Sequence, residues 1–354
     1  MTINVRDEAD IIEDNLRFHA AQGVDFFVVA DHGSVDSTKE LLEPHVASGL
    51  VHLVEVEARD ILDLHNQHMA RLAGLAAERG ADWVIHNDAD EFWWPVVGDL
   101  RDAFASIPPD YGLLLAARAE FPPRAGDEPW PDRLVIRERR ARHNPKLAHR
   151  PHPELRLHGV HPTNLWVDAP AAQSFPGPPK LRSEAEVPGP EPATPLLLAP
   201  AYPIRVMHFP LRSYPQYRRR IEIALATPDT FGKRSARMRE AYDAGRLEQE
   251  YEGLLLTDAD VEEGLRTGGL VEDTELRDYL RACPDPGSGE PSPPGAKGYE
   301  PERRERELAD LQLDGMAALS VSLQKQAKAA DPDSPRARRR ERRRSARSGG
   351  AGDA

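Results

Sequence analysis

Short apolar segments alternate with amphipathic ones along the first 91 residues, and this alternation constrains the fold more than any other feature. Residues 24–30 (VDFFVVA) are typical of a buried strand, whereas Leu64, Leu72 and Leu75 recur at helical spacing. Strands alternating with helices predict an α/β sheet with helices on both faces. The predicted strands are 3–5, 24–30, 51–56 and 81–86, and the predicted helices are 7–22, 38–46 and 62–79.

The chain of 354 residues is long enough for about two domains. Ten prolines in residues 169–203 predict an irregular insert, and six in 284–301 predict a linker. The predicted organisation is an α/β domain (1–215) holding that insert, a helical extension (216–283), the linker, a further helix (302–330) and a disordered Arg-rich tail (331–354).

The net charge of the chain limits which ligands it can bind. The net charge is −13, and the last 24 residues carry eight Arg against four acids, so residues 1–330 carry −17. Such a body is a poor general binder of nucleic acid, and a phosphorylated ligand would need a local cation. The tail either keeps the chain soluble or contacts an anionic membrane surface.

Other features exclude further classes. The single Cys283 excludes an intramolecular disulfide and a cysteine-built zinc site. No apolar run approaches 18 residues, and the N-terminus lacks the apolar core of a signal peptide. We therefore expect a cytoplasmic protein.

Polar turns follow two of the predicted strands, and ligands of such sheets lie beyond the carboxyl ends of the strands. In the turn at 86–91, Asp88 and Asp90 would repel each other unless a divalent cation lay between them. Carboxylate oxygens suit Mg²⁺ or Mn²⁺. The alternative is a solvated turn in which Asp90 caps a helix. The apolar strand before the turn and the aromatic residues at 92–94 favour a built site.

The other turn, residues 31–38, reads DHGSVDST. Gly33 permits a tight turn, and Asp36 or Ser37 can cap the next helix. A carboxylate at the end of a strand, here Asp31, can accept a hydrogen bond from a nucleobase N–H or a ribose hydroxyl. Capping explains Asp36 well and Asp31 less well.

Two further segments contain candidate residues. Glu8 and Asp10 fit the N-terminus of the first predicted helix, whereas Arg6 opposes the helix dipole and so predicts an anionic partner. In the His-rich segments 146–161 and 204–214, His161 and His208 follow short apolar stretches, which predicts positions near strand ends. The basic run 218–220 is interpreted as a solvated helix face.

These segments together resemble the glycosyltransferase family 2-like group with a GT-A fold, close to the family 92 type. The matching pieces, which span residues 3 to about 221, are NVRDEADIIEDNLRFHAAQGVDFFVV, DHGSVDST, ADWVIHNDADEFWW, KLAHRPHPELRLHGVHP and MHFPLRSYPQYRRRI. The resemblance implies a GT-A (Rossmann-like) α/β/α sandwich with a predominantly parallel mixed sheet. It also implies a nucleotide-diphosphate-sugar donor (a UDP-sugar), Mn²⁺ or Mg²⁺, and a glycan, lipid or small-molecule acceptor.

The resemblance also implies roles for individual residues. Asp90 would bind the metal directly and His208 would complete its coordination, while Asp88 would face the ribose or the metal. Asp31 would contact the nucleobase. The positions that would hold the rest of the substrates are Asn4, Arg6, Glu8, Gly33, Asp36, Lys146 and His161.

Transfer with inversion, which the resemblance implies, needs one general base for the acceptor hydroxyl. Glu154, His158 and Glu91 are candidates, and sequence spacing does not choose among them. One alternative function is a metal-dependent phosphoesterase or nucleotide-sugar hydrolase, since Asp and His clusters also build such sites. A non-catalytic protein that binds anions through its Arg-rich tail is another.

Overall fold

The computed structural model describes residues 1–56, 65–96, 98–109, 111–140, 142–151, 156–157, 167–168, 197–199, 204–226, 233–283 and 308–314. The strands are Thr2–Val5 (β1), Phe27–Asp31 (β2), Val51–Glu55 (β3), Val84–Asp88 (β4), Glu91–Pro95 (β5), Tyr111–Glu120 (β6), Ile136–Glu138 (β7), Arg142–His149 (β8), Arg156–Leu157 (β9), Val167–Asp168 (β10), Leu197–Ala199 (β11), Ile204–His208 (β12) and Leu270–Glu272 (β13).

The helices alternate with these strands in the first third of the chain and dominate after β12. They are Ile12–Ala21 (α1), Thr38–Ala47 (α2), His65–Glu78 (α3), Leu100–Ala105 (α4), Trp130–Arg133 (α5), Tyr214–Ala226 (α6), Lys233–Asp243 (α7), Leu247–Glu252 (α8), Asp258–Thr267 (α9) and Glu275–Ala282 (α10).

The main sheet has nine strands in the described part of the chain. Eight follow the order β3-β2-β1-β4-β8-β6-β12-β5, and β11 pairs with β6. Only β5 and β8 run antiparallel to their neighbours in this sheet. The predicted fold class, an α/β architecture with a predominantly parallel mixed sheet, is confirmed.

Helices cover both faces of the sheet because the sheet's strands are apolar on both sides. In β2, Phe27 and Val29 belong to the core beneath α1, α4 and α10, whereas Val28 and Ala30 pack towards α3. This is the continuous apolar composition expected of a strand buried on both faces.

Several of the predicted ends of helices and strands are wrong. The first helix begins at Ile12 rather than at residue 7, because residues 6–10 are held by side chains of other elements, as described below. The second strand begins at Phe27 rather than at 24. The polar turn predicted at 86–91 is shorter, since β4 continues to Asp88 and β5 starts at Glu91.

The chain after β12 contributes to the same core. In α10, Leu276, Tyr279 and Leu280 belong to the cluster beneath α1, and β13 pairs with β7. The predicted insert contains one described strand, β11, and residues 308–314 are helical. The predicted linker at 284–301 and tail at 331–354 lie outside the described residues, and the domain boundaries remain predictions.

No helix in the described ranges is both long enough and apolar enough to cross a membrane.

A directional hydrogen-bond chain crosses the sheet between β1, β4 and β8. Nδ1 of His149 lies 2.9 Å from the carbonyl oxygen of Arg150, which only accepts, so this nitrogen carries the proton. Nε2 of His149 then accepts from Nε2 of His86 at 3.0 Å, and Nδ1 of His86 accepts from the Thr2 hydroxyl at 2.9 Å. Every ring nitrogen is satisfied while both histidines are neutral.

Acid should therefore act against the fold through these two histidines. Burial lowers the pKa of His149 to about 4, and burial together with His149 and Lys146 holds that of His86 well below its ordinary value. Below pH 6.5 the unfolded histidines bind protons that the folded ones do not, so the contribution of His86 and His149 to the free energy of unfolding decreases as the pH falls. Each histidine should account for a loss of about 1 kcal/mol between pH 6.5 and 5.5, because the unfolded imidazole is half protonated at the first pH and almost fully protonated at the second. Urea unfolding at the two pH values would measure this loss.

The double substitution His86→Leu and His149→Leu should reduce this slope by the contribution of both groups. Leu147→Ala, a fully buried neighbour without a titratable group, should lower stability equally at both pH values. An unchanged slope in the double variant would show that the two histidines do not titrate as argued.

Candidate active site

The carboxyl ends of β1, β2, β4, β6 and β12 meet at one edge of the sheet, because these strands run in the same direction. This edge receives Asp31 from β2, Asp88 from β4, Glu120 from β6 and His208 from β12. The short turn between β4 and β5 adds Asp90. The sheet thus collects acidic side chains from segments that are far apart in the sequence.

Strand register places His208 in one row with Glu120 and with Glu91, the first residue of β5. His208 on β12 is opposite Glu91 on β5 and opposite Glu120 on β6. Residues opposite one another across paired strands project to the same face. Nδ1 of His208 accordingly lies 2.6 Å from Oε2 of Glu120, and the backbone N–H of Phe209 donates to the carbonyl oxygen of Asp90 at 2.9 Å.

Asp90 faces the other ring nitrogen of His208. Oδ2 of Asp90 lies 3.6 Å from Nε2 of His208, and both side chains are largely buried. Burial alone would lower the pKa of His208, but the charge of Asp90 and the hydrogen bond to Glu120 raise it to about 9. Burial opposes ionisation of Asp90 as well, yet His208, Arg220 and Arg212 hold its pKa well below the ordinary range.

Asp88 belongs to a separate ion-pair group. Nζ of the fully buried Lys146 lies 2.6 Å from Oδ2 of Asp88 and 2.8 Å from Oε2 of Glu91. Burial raises the pKa of Glu91, although Lys146 opposes the shift, and Asp88 with Glu91 raises the pKa of Lys146 against its own burial. Lys146 was predicted to hold the donor sugar or acceptor; here it compensates two carboxylates.

Glu91 was predicted as one candidate general base, and its place argues against that role. Its side chain is fully buried, with Arg118 3.7 Å from its other carboxylate oxygen. A group so enclosed does not reach an acceptor hydroxyl. The other two candidates, Glu154 and His158, lie outside the described residues, as does His161.

Glu8 and Asp10 bind Arg212 rather than the end of a helix. Nη2 of Arg212 lies 2.5 Å from Oε2 of Glu8, and its Nε lies 2.7 Å from Oδ2 of Asp10. The predicted role of complementing the helix dipole is therefore wrong, since α1 begins only at Ile12. Burial raises the pKa of Glu8 to about 7, although Arg212 opposes the shift.

The loops after β1 and β2 are joined by side-chain to backbone hydrogen bonds. Asp7, whose backbone adopts a left-handed conformation with φ 59°, accepts from the N–H groups of Val35 and Asp36 at 2.7 and 3.2 Å. In return, Asp36 accepts from the N–H of Ala9, and Thr38 accepts from that of Glu8. The two loops thus form one polar wall of the site.

The predicted nucleotide-binding residues lie along this wall. Asp31 is buried and accepts from the Ser34 backbone N–H at 3.1 Å, and Gly33 adopts φ 79°. The Asn4 side-chain oxygen lies 3.2 Å from Nε2 of His32. Nε of Arg6 is buried without a hydrogen-bond partner among the described residues, so its predicted anionic partner is not found there.

Asp90 and His208 have donor chemistry suited to a divalent cation. Carboxylate oxygen and imidazole nitrogen are both ligands of Mn²⁺-like ions, and a ligating histidine usually gives its other N–H to a carboxylate, as His208 does to Glu120. Asp88 is engaged by Lys146. Within the described residues, no group of three or more His, Cys, Asp or Glu side chains has the geometry of a metal site.

Sequence reasoning missed two residues that organise the site. Glu120 ends the apolar strand β6, so the rule that drew attention to Asp31 and Asp88 could have found it. Arg212 carried no local signal, because its partners Glu8 and Asp10 lie about 200 residues earlier.

The part of the chain that forms half of this site matches a known class of protein, the glycosyltransferases. Residues 4–106 match the model of Glycosyltransferase family 92, and these residues include Asp31, Asp88 and Asp90. The match confirms the predicted resemblance for this region. Glu120, Lys146 and His208 lie beyond it, and their contribution rests on the geometry above. No curated protein matches the chain.

Solved structures of glycosyltransferases resemble about a third of this chain. TarS 1–349 of S. aureus in complex with UDP is 18% identical, with coverage of 36% of this chain and 37% of that chain and a TM-score of 0.28. Glucosyl-3-phosphoglycerate synthase from Mycobacterium tuberculosis, in complex with Mn²⁺, UDP and glucosyl-3-phosphoglycerate, is 19% identical, with coverage of 33% and 42% and a TM-score of 0.22.

The galactosyltransferase LgtC, in complex with donor and acceptor sugar analogs, is 18% identical, with coverage of 33% and 45% and a TM-score of 0.23. This chain therefore spans less than half the length of each of these three proteins. Because the three TM-scores are so low, these similarities do not show that this chain shares the activities or ligands of those proteins.

Removing Lys146 should destabilise the protein strongly. Lys146→Met leaves Glu91 as a buried carboxylate without its closest cation, and breaking a buried pair from one side costs about 3–5 kcal/mol. Adding Glu91→Gln should recover part of this loss, because the amide carries no charge. Urea unfolding of both single variants and the double variant would measure the coupling.

The matched control is Arg266→Met, which removes an exposed cation paired with Glu263 on α9. Such surface pairs contribute less than about 1 kcal/mol. If Lys146→Met cost no more than this control, the interpretation of Lys146 as the compensating charge would be wrong.

Proposed function

We propose that this chain is a metal-dependent glycosyltransferase that moves a sugar from a UDP-sugar to an acceptor hydroxyl with inversion. The observation that supports the proposal most directly is the arrangement of Asp90, His208 and Glu120 at the carboxyl edge of the sheet. Asp90 belongs to the region that matches Glycosyltransferase family 92, whereas Glu120 and His208 follow it in the sequence.

The wall formed by the loops after β1 and β2 is the proposed nucleoside-binding surface. Asn4 and Asp36 present oxygen atoms there, and Asp36 already orders the local backbone. The Asp31 side chain is fully buried, lies 3.3 Å from Nζ of Lys39 and orders the turn behind this surface, so it would have to be uncovered to meet a nucleobase. A nucleobase or ribose would meet a surface whose side chains are held in place before binding, which lowers the entropic cost of binding.

Charge develops on the leaving diphosphate as the glycosidic bond breaks through an oxocarbenium-like transition state. The residues that would hold a divalent cation are Asp90 and His208, with Asp88 at the neighbouring position. The bound cation would supply Lewis-acid stabilisation of that charge. Glu120 keeps the proton of His208 on Nδ1, so that Nε2 can act as a ligand once it is deprotonated.

The acceptor hydroxyl must lose a proton in the same reaction. Because Glu91 is enclosed, Glu154 and His158 remain the proposed candidates for the general base. The same site without a bound acceptor would hydrolyse the donor, so a nucleotide-sugar hydrolase or a phosphoesterase is the alternative that an experiment must separate.

Asp90→Asn should lower metal-dependent sugar transfer by at least about a hundredfold while leaving the protein folded, since the substitution removes a ligand charge without changing side-chain volume. Glu120→Gln should lower metal affinity or activity about 10- to 100-fold, which is the usual effect of changing a group that orients a ligand. Initial rates at several Mn²⁺ concentrations would measure both effects.

Asp14→Asn, on the outer side of α1 and paired with Arg17, is the control and should retain wild-type rates. Product analysis completes the test, because a glycoside indicates transfer and a free sugar indicates hydrolysis. Wild-type rates in Asp90→Asn would contradict the assignment of the metal-binding residues.

A nucleotide panel should identify the donor class. We expect UDP-sugars to raise the melting temperature of the protein in the presence of Mn²⁺ and to have a smaller effect without it, because a ligand that binds only the folded state stabilises it. GDP- and dTDP-sugars measured under the same conditions are the controls. Stabilisation by GDP-sugars alone would contradict the proposed base preference.

A further inference from the structure

Two consecutive arginines of α6 face the candidate active site from its solvent side. Nη1 of Arg220 lies 3.7 Å from Oδ2 of Asp90, and Nη1 of Arg219 lies 3.5 Å from Oδ2 of Asp7. The side chains of the two carboxylates are 8% and 4% exposed, whereas those of Arg220 and Arg219 are 55% and 44% exposed. The arginines therefore lie above buried carboxylates, with their guanidinium groups in contact with solvent.

The position of these arginines is fixed by the segment that connects β12 to α6. Arg212 in this segment is bound to Glu8 and Asp10, and Arg220 donates back to the carbonyl oxygen of Pro210 at 3.1 Å. Because His208 immediately precedes the same segment, the start of α6 is held against the site edge. The basic run that the sequence analysis interpreted as a solvated face thus lies at the site.

Two buried cations of the described part of the site are committed to protein groups. Lys146 and Arg212 are buried, and each pairs with two carboxylates. A guanidinium carries five N–H donors, and at distances of 3.5–3.7 Å the pairs of Arg219 and Arg220 with carboxylates are loose. These two side chains therefore retain donors that can point towards a ligand.

We propose that Arg219 and Arg220 clamp the diphosphate of the donor, an inference that rests on the proposed glycosyltransferase function. Planar guanidinium groups match phosphate oxygens in a bidentate manner, and two of them would offset the charge of a diphosphate in an acidic protein. The clamp approaches from the side opposite the strands, so the phosphates would lie between α6 and the edge of the sheet.

The clamp also predicts competition at Asp90. Arg220 and a divalent cation would share the carboxylate of Asp90, so cation binding would weaken the pair between Asp90 and Arg220. Arg220 would then be released towards the phosphates, which the cation would also hold. Binding of the cation and binding of the diphosphate would therefore support each other through this one side chain.

Calorimetric titration of the full chain with UDP and with uridine, both in the presence of Mn²⁺, tests the clamp. Arg219→Gln and Arg220→Gln should each weaken UDP binding by about tenfold or more, since hydrogen bonds to charged groups are of that strength. Uridine, which lacks phosphate, should bind all variants equally. Arg218→Gln is the matched control, because Arg218 lies on the same helix but pairs with Glu222.

The outcomes separate this inference from the proposed function. Wild-type protein that binds UDP, with both variants binding it equally well, would overturn the clamp and leave the proposed function standing. Equal losses for UDP and uridine would show a merely structural role and would overturn it too. If the wild-type protein bound neither ligand, the proposed UDP-sugar donor would fail and the clamp with it.

A second measurement tests the competition without any nucleotide. Titration with Mn²⁺ alone should show binding to Arg220→Gln that is about two- to fivefold tighter than to the wild-type protein, because a competing cation near Asp90 has been removed. Arg218→Gln should bind Mn²⁺ like the wild type. Weaker Mn²⁺ binding in Arg220→Gln would contradict the competition.

Discussion

The register of β12 between β5 and β6 is the constraint on which the rest of the site depends. It places His208 opposite both Glu91 and Glu120, and the hydrogen bond from Phe209 fixes the backbone of Asp90 beside it. A shift by one residue would turn His208 to the other face of the sheet and separate all of these groups. The apolar residues of β12, which are buried, therefore hold the proposed metal ligands in position as a consequence of core packing.

Placing this many acids at one edge of the sheet costs free energy, because their negative charges repel one another. The protein neutralises these charges in separate groups. Lys146 forms ion pairs with Asp88 and Glu91, whereas Arg212 forms ion pairs with Glu8 and Asp10. Both cations are buried, so each is a permanent part of the fold rather than a mobile counter-ion. Asp90 differs, because its closest cations are a histidine that can lose its proton and an arginine that is half exposed. We therefore propose Asp90 as a carboxylate whose partners a ligand could replace.

The sequence predicted the parts of this site that depend on local patterns. Alternating strands and helices, together with polar turns after apolar strands, were enough to place Asp31, Asp88 and Asp90 at one edge of the sheet. Local patterns could not show which charges compensate which. Lys146 pairs with a carboxylate 58 residues away and Arg212 with one 204 residues away, and nothing near either residue indicates its partner. The start of α1 was misplaced for the same reason, since distant side chains hold the residues before it.

The connection from β12 to α6 links the chemistry of the site to the C-terminal part of the chain. It begins at His208, passes through the buried Arg212 and leads to the arginines above Asp90 and Asp7. Tyr217 and Ile221 on α6 pack with α7 and α8, so the helix that carries these arginines is supported by its own small core. Because Asp7 also orders the loop after β2, the wall proposed to bind the nucleoside and the arginines proposed to bind phosphate share one carboxylate. A ligand that binds Arg219 would therefore change the surroundings of Asp7, which also orders the proposed nucleoside surface. Asp7 thus links the two halves of the proposed donor site.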